Sequence, residues 1–239
     1  MKVLSIGNSF SMDAQQYLHQ LAKKEGEDLF CMNLYKGGCP LRLHYLNMLD
    51  DVAAYDLQVN GNITNVKISI HQALCSEDWD VITLQQASKF SAHFESYTPY
   101  LQELSAYVRK YCPNAKQVIH QTWAYENGSE KLTKQPFATD ADMFAEIEKA
   151  YKQAVELIGA DGIIPAGKAM LIASQTGIEK VHRDAKHASL GAGRYLLALV
   201  WFKYLTGKDI SGNAFDDFDK PVTEEERKII IAAANAAFA

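Results

Sequence analysis

Two short segments of the chain hold the residue types that nucleophilic catalysis needs. The first is Ile6-Gly7-Asn8-Ser9-Phe10-Ser11, where an apolar run hands over to a helical pattern. A serine there stands at the carboxyl end of a strand and the amino end of a helix, where open α/β sheets place their ligands. The helix start favours negative charge nearby, so this position suits both an attacking oxygen and a developing oxyanion. Ser9 or Ser11 could equally serve as an ordinary N-cap, since helix starts recruit serine for that purpose. A phosphate-cradling turn fits less well, because neither P-loop spacing nor a G-x-G-x-x-G pattern is present.

Ser9 needs a base, and the chain offers seven histidines. His19 falls within the first helical pattern and His71 near a short alternating stretch. His44, His93, His120 and His182 lack a nearby carboxylate followed by a helix. His187 has both, in Arg183-Asp184-Ala185-Lys186-His187-Ala188-Ser189-Leu190-Gly191 ahead of a long apolar helix. A separation of three residues within one loop lets Asp184 hold one imidazole nitrogen while the other faces Ser9. The carboxylate fixes the tautomer that accepts the serine proton and stabilises the imidazolium formed in the transition state. The plain alternative is an Asp turn cap beside a surface histidine.

Bringing residues 9 and 187 together requires a sheet whose strand ends converge. Short apolar runs at Lys2 to Ile6, Leu29 to Leu34, Val81 to Gln85, Gln117 to Thr122 and Gly162 to Pro165 alternate with longer helical patterns. That is the signature of βα units around a mainly parallel sheet of five strands. Helical periodicity is clearest over Met12 to Lys24, Pro99 to Tyr111, Ala141 to Ile158, Ser189 to Leu205 and Thr223 to Phe238, the last opening on a Thr223–Glu226 capping box. Partial alternation over Asp56 to Ile70 around Asn60-Gly61 predicts a small inserted hairpin. Glu126 through Pro136 reads as a loop able to rim a site.

At 239 residues, 48% hydrophobic and 22% charged, the chain suits one α/β domain over 1–239 with a sizeable core. A net charge of -5 without a basic run argues against a nucleic-acid partner, and no apolar window has the ~20 residues of a membrane span. Cys31, Cys39, Cys75 and Cys112 form no CxxC pair, so they read as four reduced thiols rather than a metal or redox motif. Lys2 followed by Val3-Leu4-Ser5-Ile6 is too short an apolar run for an export signal, which places the chain as written in the cytoplasm. A leader removed in processing would instead make it periplasmic or secreted.

The serine block and the Asp184-x-x-His187 block together resemble the SGNH/GDSL hydrolases, from Val3 to about Leu205. Gly7-Asn8-Ser9-Phe10 is most similar to a branch carrying GNSF, a Gly-Gly-Cys block and a Thr-Trp-Ala-Tyr segment, and departs from the Gly-Asp-Ser-Leu that names the group. The resemblance implies a flavodoxin-like three-layer α/β sandwich and catalysis by Ser9, His187 and Asp184 without metal or organic cofactor. It also implies an oxyanion hole built from the Ser9 N–H, a glycine of Tyr35-Lys36-Gly37-Gly38-Cys39, and a side-chain amide after the third strand. Gly38 is favoured over Gly37, although either could be a simple turn glycine. Where the family has Gly-x-Asn-Asp, this chain has Gln85-Gln86-Ala87-Ser88, so the Gln86 amide is expected as third donor, with Gln85 and Ser88 as alternatives.

The expected activity is hydrolysis of a small acyl ester through an acyl-enzyme on Ser9. Trp123 and Tyr125, at the end of the fourth strand, offer flat faces to a sugar ring, so an acetylated carbohydrate is the preferred substrate. A general short-chain carboxylesterase or thioesterase is the alternative enzyme. A catalytically silent ligand-binding domain that kept the fold is the alternative of another class.

Overall fold

Apolar runs short enough to be strands become buried on both faces, which is what a parallel sheet demands of them. The computed structural model describes residues 1–178 and 180–239. Its strands are β1 (Lys2–Gly7), β2 (Phe30–Tyr35), β3 (Tyr55–Val59), β4 (Asn62–Ile68), β5 (Val81–Leu84), β6 (Lys116–His120) and β7 (Gly162–Ile164). They form one sheet in the order β4-β3-β2-β1-β5-β6-β7. Pairing is parallel between β2, β1, β5, β6 and β7, and antiparallel in β2–β3 and β3–β4.

The sheet therefore has seven strands rather than five. The five apolar runs supply its parallel part, while β3 and β4 lengthen it at the β2 edge instead of standing apart as an insert. Both are poorer in apolar residues, and β4 is largely exposed, so the period that marks a core strand is missing there.

The helices are α1 (Ser9–Gln15), α2 (Leu18–Lys24), α3 (Leu41–Leu49), α4 (Ile70–Leu74), α5 (Tyr100–Tyr111), α6 (Glu130–Thr133), α7 (Asp140–Ile158), α8 (Ala166–Ser174), α9 (Ala192–Thr206) and α10 (Glu224–Ala236). Residues alternate between two cores along each central strand. Val3, Val81 and Val118 pack under α1, α2, α8, α9 and α10, whereas Leu4, Ile6, Ile82 and Leu84 pack under α3, α4, α5 and α7. The chain leaves β1 in one direction toward β2 and later in the other toward β5, so the order reverses between β1 and β5. A cleft opens at such a reversal, beyond the carboxyl ends of the strands. Gly7 and Leu84 end at that point.

The pattern over Met12 to Lys24 resolves into two helices that start earlier than periodicity alone suggests. The tip of the β3–β4 turn lies against the break between them, where Gln20 Nε2 donates to Asn60 O at 3.2 Å. Asn60 and Gly61 have φ of 51° and 82°, the two left-handed residues of a type I′ hairpin turn. A Cβ on Gly61 would stand 2.4 Å from the Gln16 carbonyl oxygen. Gly61→Ala is therefore expected to destabilise the fold by about 1–3 kcal/mol through backbone strain, read as a lower urea midpoint at unchanged slope. An unchanged midpoint would show that the tip is free of α1 and α2.

Candidate active site

The nucleophile segment is shaped by hydrogen bonds that local sequence encodes. Asn8, not a serine, caps α1: its side chain accepts from the N–H groups of Phe10 and Ser11, and Ser11 Oγ closes a capping box with the Asn8 N–H. Ser9 is thus released from capping, and its N–H is one of the orphan donors of the first helical turn. Gly7 is required by this turn, because a Cβ there would meet Ser11 Oγ at 2.1 Å. Ser11 Oγ also donates to Asn33 Oδ1 of β2 at 2.8 Å, and Gln15 Nε2 to Ser5 Oγ of β1 at 2.6 Å, so α1 is pinned to the sheet by polar side chains.

From across the cleft, His187 brings Nε2 to 2.8 Å from Ser9 Oγ, and its Nδ1 lies 2.7 Å from Asp184 Oδ2. Asp184 Oδ1 accepts from the His187 N–H at 2.9 Å. Burial pushes the Asp184 carboxyl up, but the hydrogen bonds from the His187 side chain and backbone outweigh it and hold it at about 2. The carboxylate is therefore ionised at any ordinary pH, which places the imidazole proton on Nδ1 and leaves Nε2 to accept from the serine hydroxyl.

The loop that presents His187 is held on several sides. Ala185 takes a left-handed φ of 65°, uncommon for a residue with a Cβ. Its carbonyl accepts from the Glu126 N–H at 2.9 Å, the Lys186 carbonyl from Trp123 Nε1 at 2.7 Å, and the His187 carbonyl from the Arg183 N–H at 2.9 Å. Trp123 is fully buried and stacks on Phe10 at 4.0 Å between ring centroids. It supports the base loop and the residue after the nucleophile, and it offers no face to a ligand; this corrects its expected place on the substrate wall. Tyr125 does reach the site.

A cavity of about 380 Å³ opens beside Ser9, lined by Asn8, Phe10, Gly38, Ala87, Ser88 and Tyr125 among others. Gly38, not Gly37, is the glycine on this wall. The expected third donor is elsewhere. Gln86 is buried, its Nε2 donates to Ser96 O and Ser96 Oγ, and its Oε1 accepts from the Leu41 and Ala87 N–H groups. Its amide is spent on fastening the loop after β5, away from Ser9. Gln85 is also buried, between His120 Nδ1 at 2.8 Å and Asn8 Oδ1 at 2.9 Å. Of the three alternatives only Ser88 lines the cavity, its hydroxyl 3.3 Å from the Tyr125 hydroxyl. The Glu126 to Pro136 segment does form a rim, through Lys131, Lys134 and Gln135.

The DUF4886 profile, a domain of unknown function, matches residues 2–239. The chain belongs to the DUF4886 family. A DUF4886 protein from Bacteroides uniformis is 35% identical over all of this chain and 94% of its own, with a TM-score of 0.93. A protein from Slackia heliotrinireducens assigned as an SGNH hydrolase is 26% identical, covers 86% of this chain and 98% of its own, and superposes with a TM-score of 0.62. A protein from Parabacteroides merdae assigned as a GDSL-like lipase shares the fold at 16% identity, 86% and 95% coverage and a TM-score of 0.53. No curated protein matches significantly in sequence.

Two features of this DUF4886 chain escape a reading by motif. One is Asp13, fully buried one turn after Ser9. Arg183 Nη1 donates to both of its oxygens at 2.9 Å, Arg194 Nε to Oδ1 at 3.0 Å, and the Ala188 N–H to Oδ2 at 3.2 Å. Asp13 thereby ties the nucleophile's helix to the residues flanking His187. The other is the line His120–Gln85–Asn8, which ends where Asn8 Nδ2 donates to the Cys39 carbonyl at 3.1 Å, next to Gly38. An aspartate at position 8 could accept from Gln85 but could not donate to Cys39.

Asp13→Asn removes the charge facing two arginines and is expected to cost about 3 kcal/mol of stability, with kcat falling as the base loop loosens. Thermal melting and ester turnover measured together check this, and a variant matching wild type in both would refute the tie. Asn8→Asp sets a carboxylate against the Cys39 carbonyl, so kcat is expected to fall roughly tenfold at a cost of about 1–3 kcal/mol. Full activity in a folded Asn8→Asp protein would show that the Gly38 loop needs no such anchor.

Proposed function

We propose that this protein is a serine ester hydrolase working through an acyl-enzyme on Ser9. The observation that carries the reading is the continuous line Ser9 Oγ, His187 Nε2, His187 Nδ1, Asp184 Oδ2 at the wall of a cavity. Ser9 Oγ attacks the ester carbonyl carbon while Nε2 takes its proton; the imidazolium then returns that proton to the leaving alkoxide as the C–O bond breaks. Water repeats the sequence on the acyl-serine and frees the acid. The N–H groups of Ser9 and Gly38 face the developing oxyanion, and Ser88 takes the third donor position that Gln86 does not fill. The SGNH hydrolase assignment of the Slackia protein supports the same class of reaction.

The acyl group we assign is acetyl-sized. Phe10 and Ala87 are the aliphatic or phenyl contributions to a cavity of about 380 Å³, and the other lining residues are polar, glycine or tyrosine. A cavity of this size with two apolar side chains on its wall suits a short acyl group better than a long chain. A sugar remains a fitting alcohol, through Tyr125 and the polar rim, although the stacking face expected of Trp123 is gone.

Ser9→Ala is expected to abolish hydrolysis of a p-nitrophenyl acetate probe and labelling by a fluorophosphonate, while leaving the melting temperature within a few degrees of wild type. His187→Ala should be about as damaging, and the double variant no worse than either single, because the two side chains act as a unit. A double variant far slower than both singles would break that unit. Failure of wild type to be labelled at Ser9 would favour a silent binding domain.

A further inference from the structure

Among the described residues, the wall of the cavity beside Ser9 carries four lysines, Lys89, Lys131, Lys134 and Lys186, and no aspartate or glutamate. They come from separate parts of the fold. Lys89 follows Ser88 in the loop after β5, Lys131 and Lys134 belong to α6 and its cap, and Lys186 stands beside His187. Composition does not explain the concentration, since the chain has 29 acidic against 24 basic residues. Lys134 pairs with Glu130 at 2.6 Å. Among the described residues no carboxylate lies within ion-pairing distance of Lys89, Lys131 or Lys186. The nearest acid in sequence to the last of these, Asp184, is committed to His187.

Two of the three unpaired lysines are half-buried, so their ammonium groups are held near the wall by stems lying on protein surface. Lys131 Nζ sits 5.8 Å from the centroid of the Tyr125 ring, on the side of the cavity that Tyr125 and Ser88 form. A cleft lined by charges of one sign focuses the field and concentrates ligands of the opposite sign. Lys89 Nζ lies 5.5 Å from the centroid of the neighbouring Phe90 ring; like charges sharing one wall without counter-ions oppose one another, and an anion among them removes that cost.

We propose that the ester this site hydrolyses carries an anionic group, a carboxylate or a phosphate, on its alcohol portion, held by Lys89, Lys131 and Lys186 while Ser9 attacks a small acyl carbonyl. This rests on the esterase reading and narrows it. The anion belongs to the alcohol side because the acyl group is small and the lysines come from separate segments of the lining, the loop after β5, α6 and the loop before His187.

The test compares acetyl esters that differ in charge. Wild-type kcat/KM is measured for 4-acetoxybenzoate, 4-acetoxyphenyl phosphate and the neutral methyl 4-acetoxybenzoate, each divided by that ester's hydroxide-catalysed rate, with Ser9→Ala as control. The anionic esters are expected to exceed the neutral one by about tenfold or more at low salt, within the range of electrostatic focusing, and the advantage should shrink as ionic strength rises to about 0.5 M. The arm with the larger advantage identifies carboxylate or phosphate. In Lys89→Gln/Lys131→Gln the anionic-to-neutral ratio should fall at least threefold, a ratio that a general loss of activity or folding does not move. Turnover of the neutral ester with no anionic preference, or a preference untouched by both salt and the double variant, would overturn this inference and leave the esterase reading standing. No Ser9-dependent turnover of any of the three would overturn both.

Discussion

A carboxylate without access to water holds the two halves of this site together. Asp13 sits on the helix that presents Ser9, and its donors come from the segment that presents His187 and from α9. Charged donors in a water-free setting make short, directional bonds, and removing their acceptor leaves buried cations uncompensated. Ser9 Oγ and His187 Nε2 therefore stand 2.8 Å apart because the elements behind them are clamped and not because the serine and histidine hold one another. Arg194 extends the clamp to Asp219 at 2.5 Å, and the Tyr17 hydroxyl lies between the Leu190 carbonyl and the Asp219 carboxylate while accepting from the Asp219 N–H at 2.9 Å, so the segment before α10 is drawn into the same network.

Around this clamp, polar contacts take over work that apolar packing does elsewhere in the sheet. Beneath α1 the sheet surface presents Ser5, Thr83 and Asn33, all buried, where the neighbouring positions are valines and a cysteine. Ser5 and Thr83 hydroxyls lie 2.7 Å apart, Gln15 donates to Ser5, and Asn33 passes the contact from Ser11 to Gln58 of β3 at 2.7 Å. Apolar packing tolerates sliding by fractions of an ångström, whereas buried hydrogen bonds are directional and hold one arrangement. Fixing α1 in this way gives Ser9 a defined place, as the reaction proposed for it would require.

Much of this architecture was legible in the sequence because its signals are local. The central strands announce themselves by apolar runs, the capping box of α10 by Thr223 and Glu226, and the Ser9 and Asp184-x-x-His187 blocks by residue type and spacing. Asp13 was not legible: an acid in a helical pattern reads as solvent-facing, and its partners lie 170 to 181 residues away. Gln86 failed for another reason. It was matched to the family's asparagine by the chemistry of its amide, whereas β5 ends at Leu84 and Leu41 and Ser96 set the side chain's direction in the loop beyond it. Helices α3 and α8 begin just after Pro40 and Pro165 and lack a clean polar face, so periodicity passed over them.

One further pair in the fold has the residue types of a nucleophile and its base, and the contrast with Ser9 and His187 shows what else the site needs. Cys39 Sγ lies 3.6 Å from His44 Nδ1, in the loop that carries Gly38. Burial lowers His44 to about 3, and burial raises the Cys39 thiol to about 12 despite the opposing charge of Lys36. Both partners are neutral at ordinary pH, and the thiol, 1% exposed, meets no substrate. His44 Nδ1 also lies 2.9 Å from the Tyr55 hydroxyl, which engages the ring in packing, and among the described residues His44 Nε2 has neither a carboxylate nor any other partner. The imidazole of His187 differs by having an ionised carboxylate on one nitrogen and an opening to the cavity at the serine on the other. Close approach of a nucleophile-type side chain to an imidazole is thus common to both pairs, and it is the carboxylate together with access to a cavity that gives Ser9 and His187 what the proposed proton transfer requires and Cys39 and His44 lack.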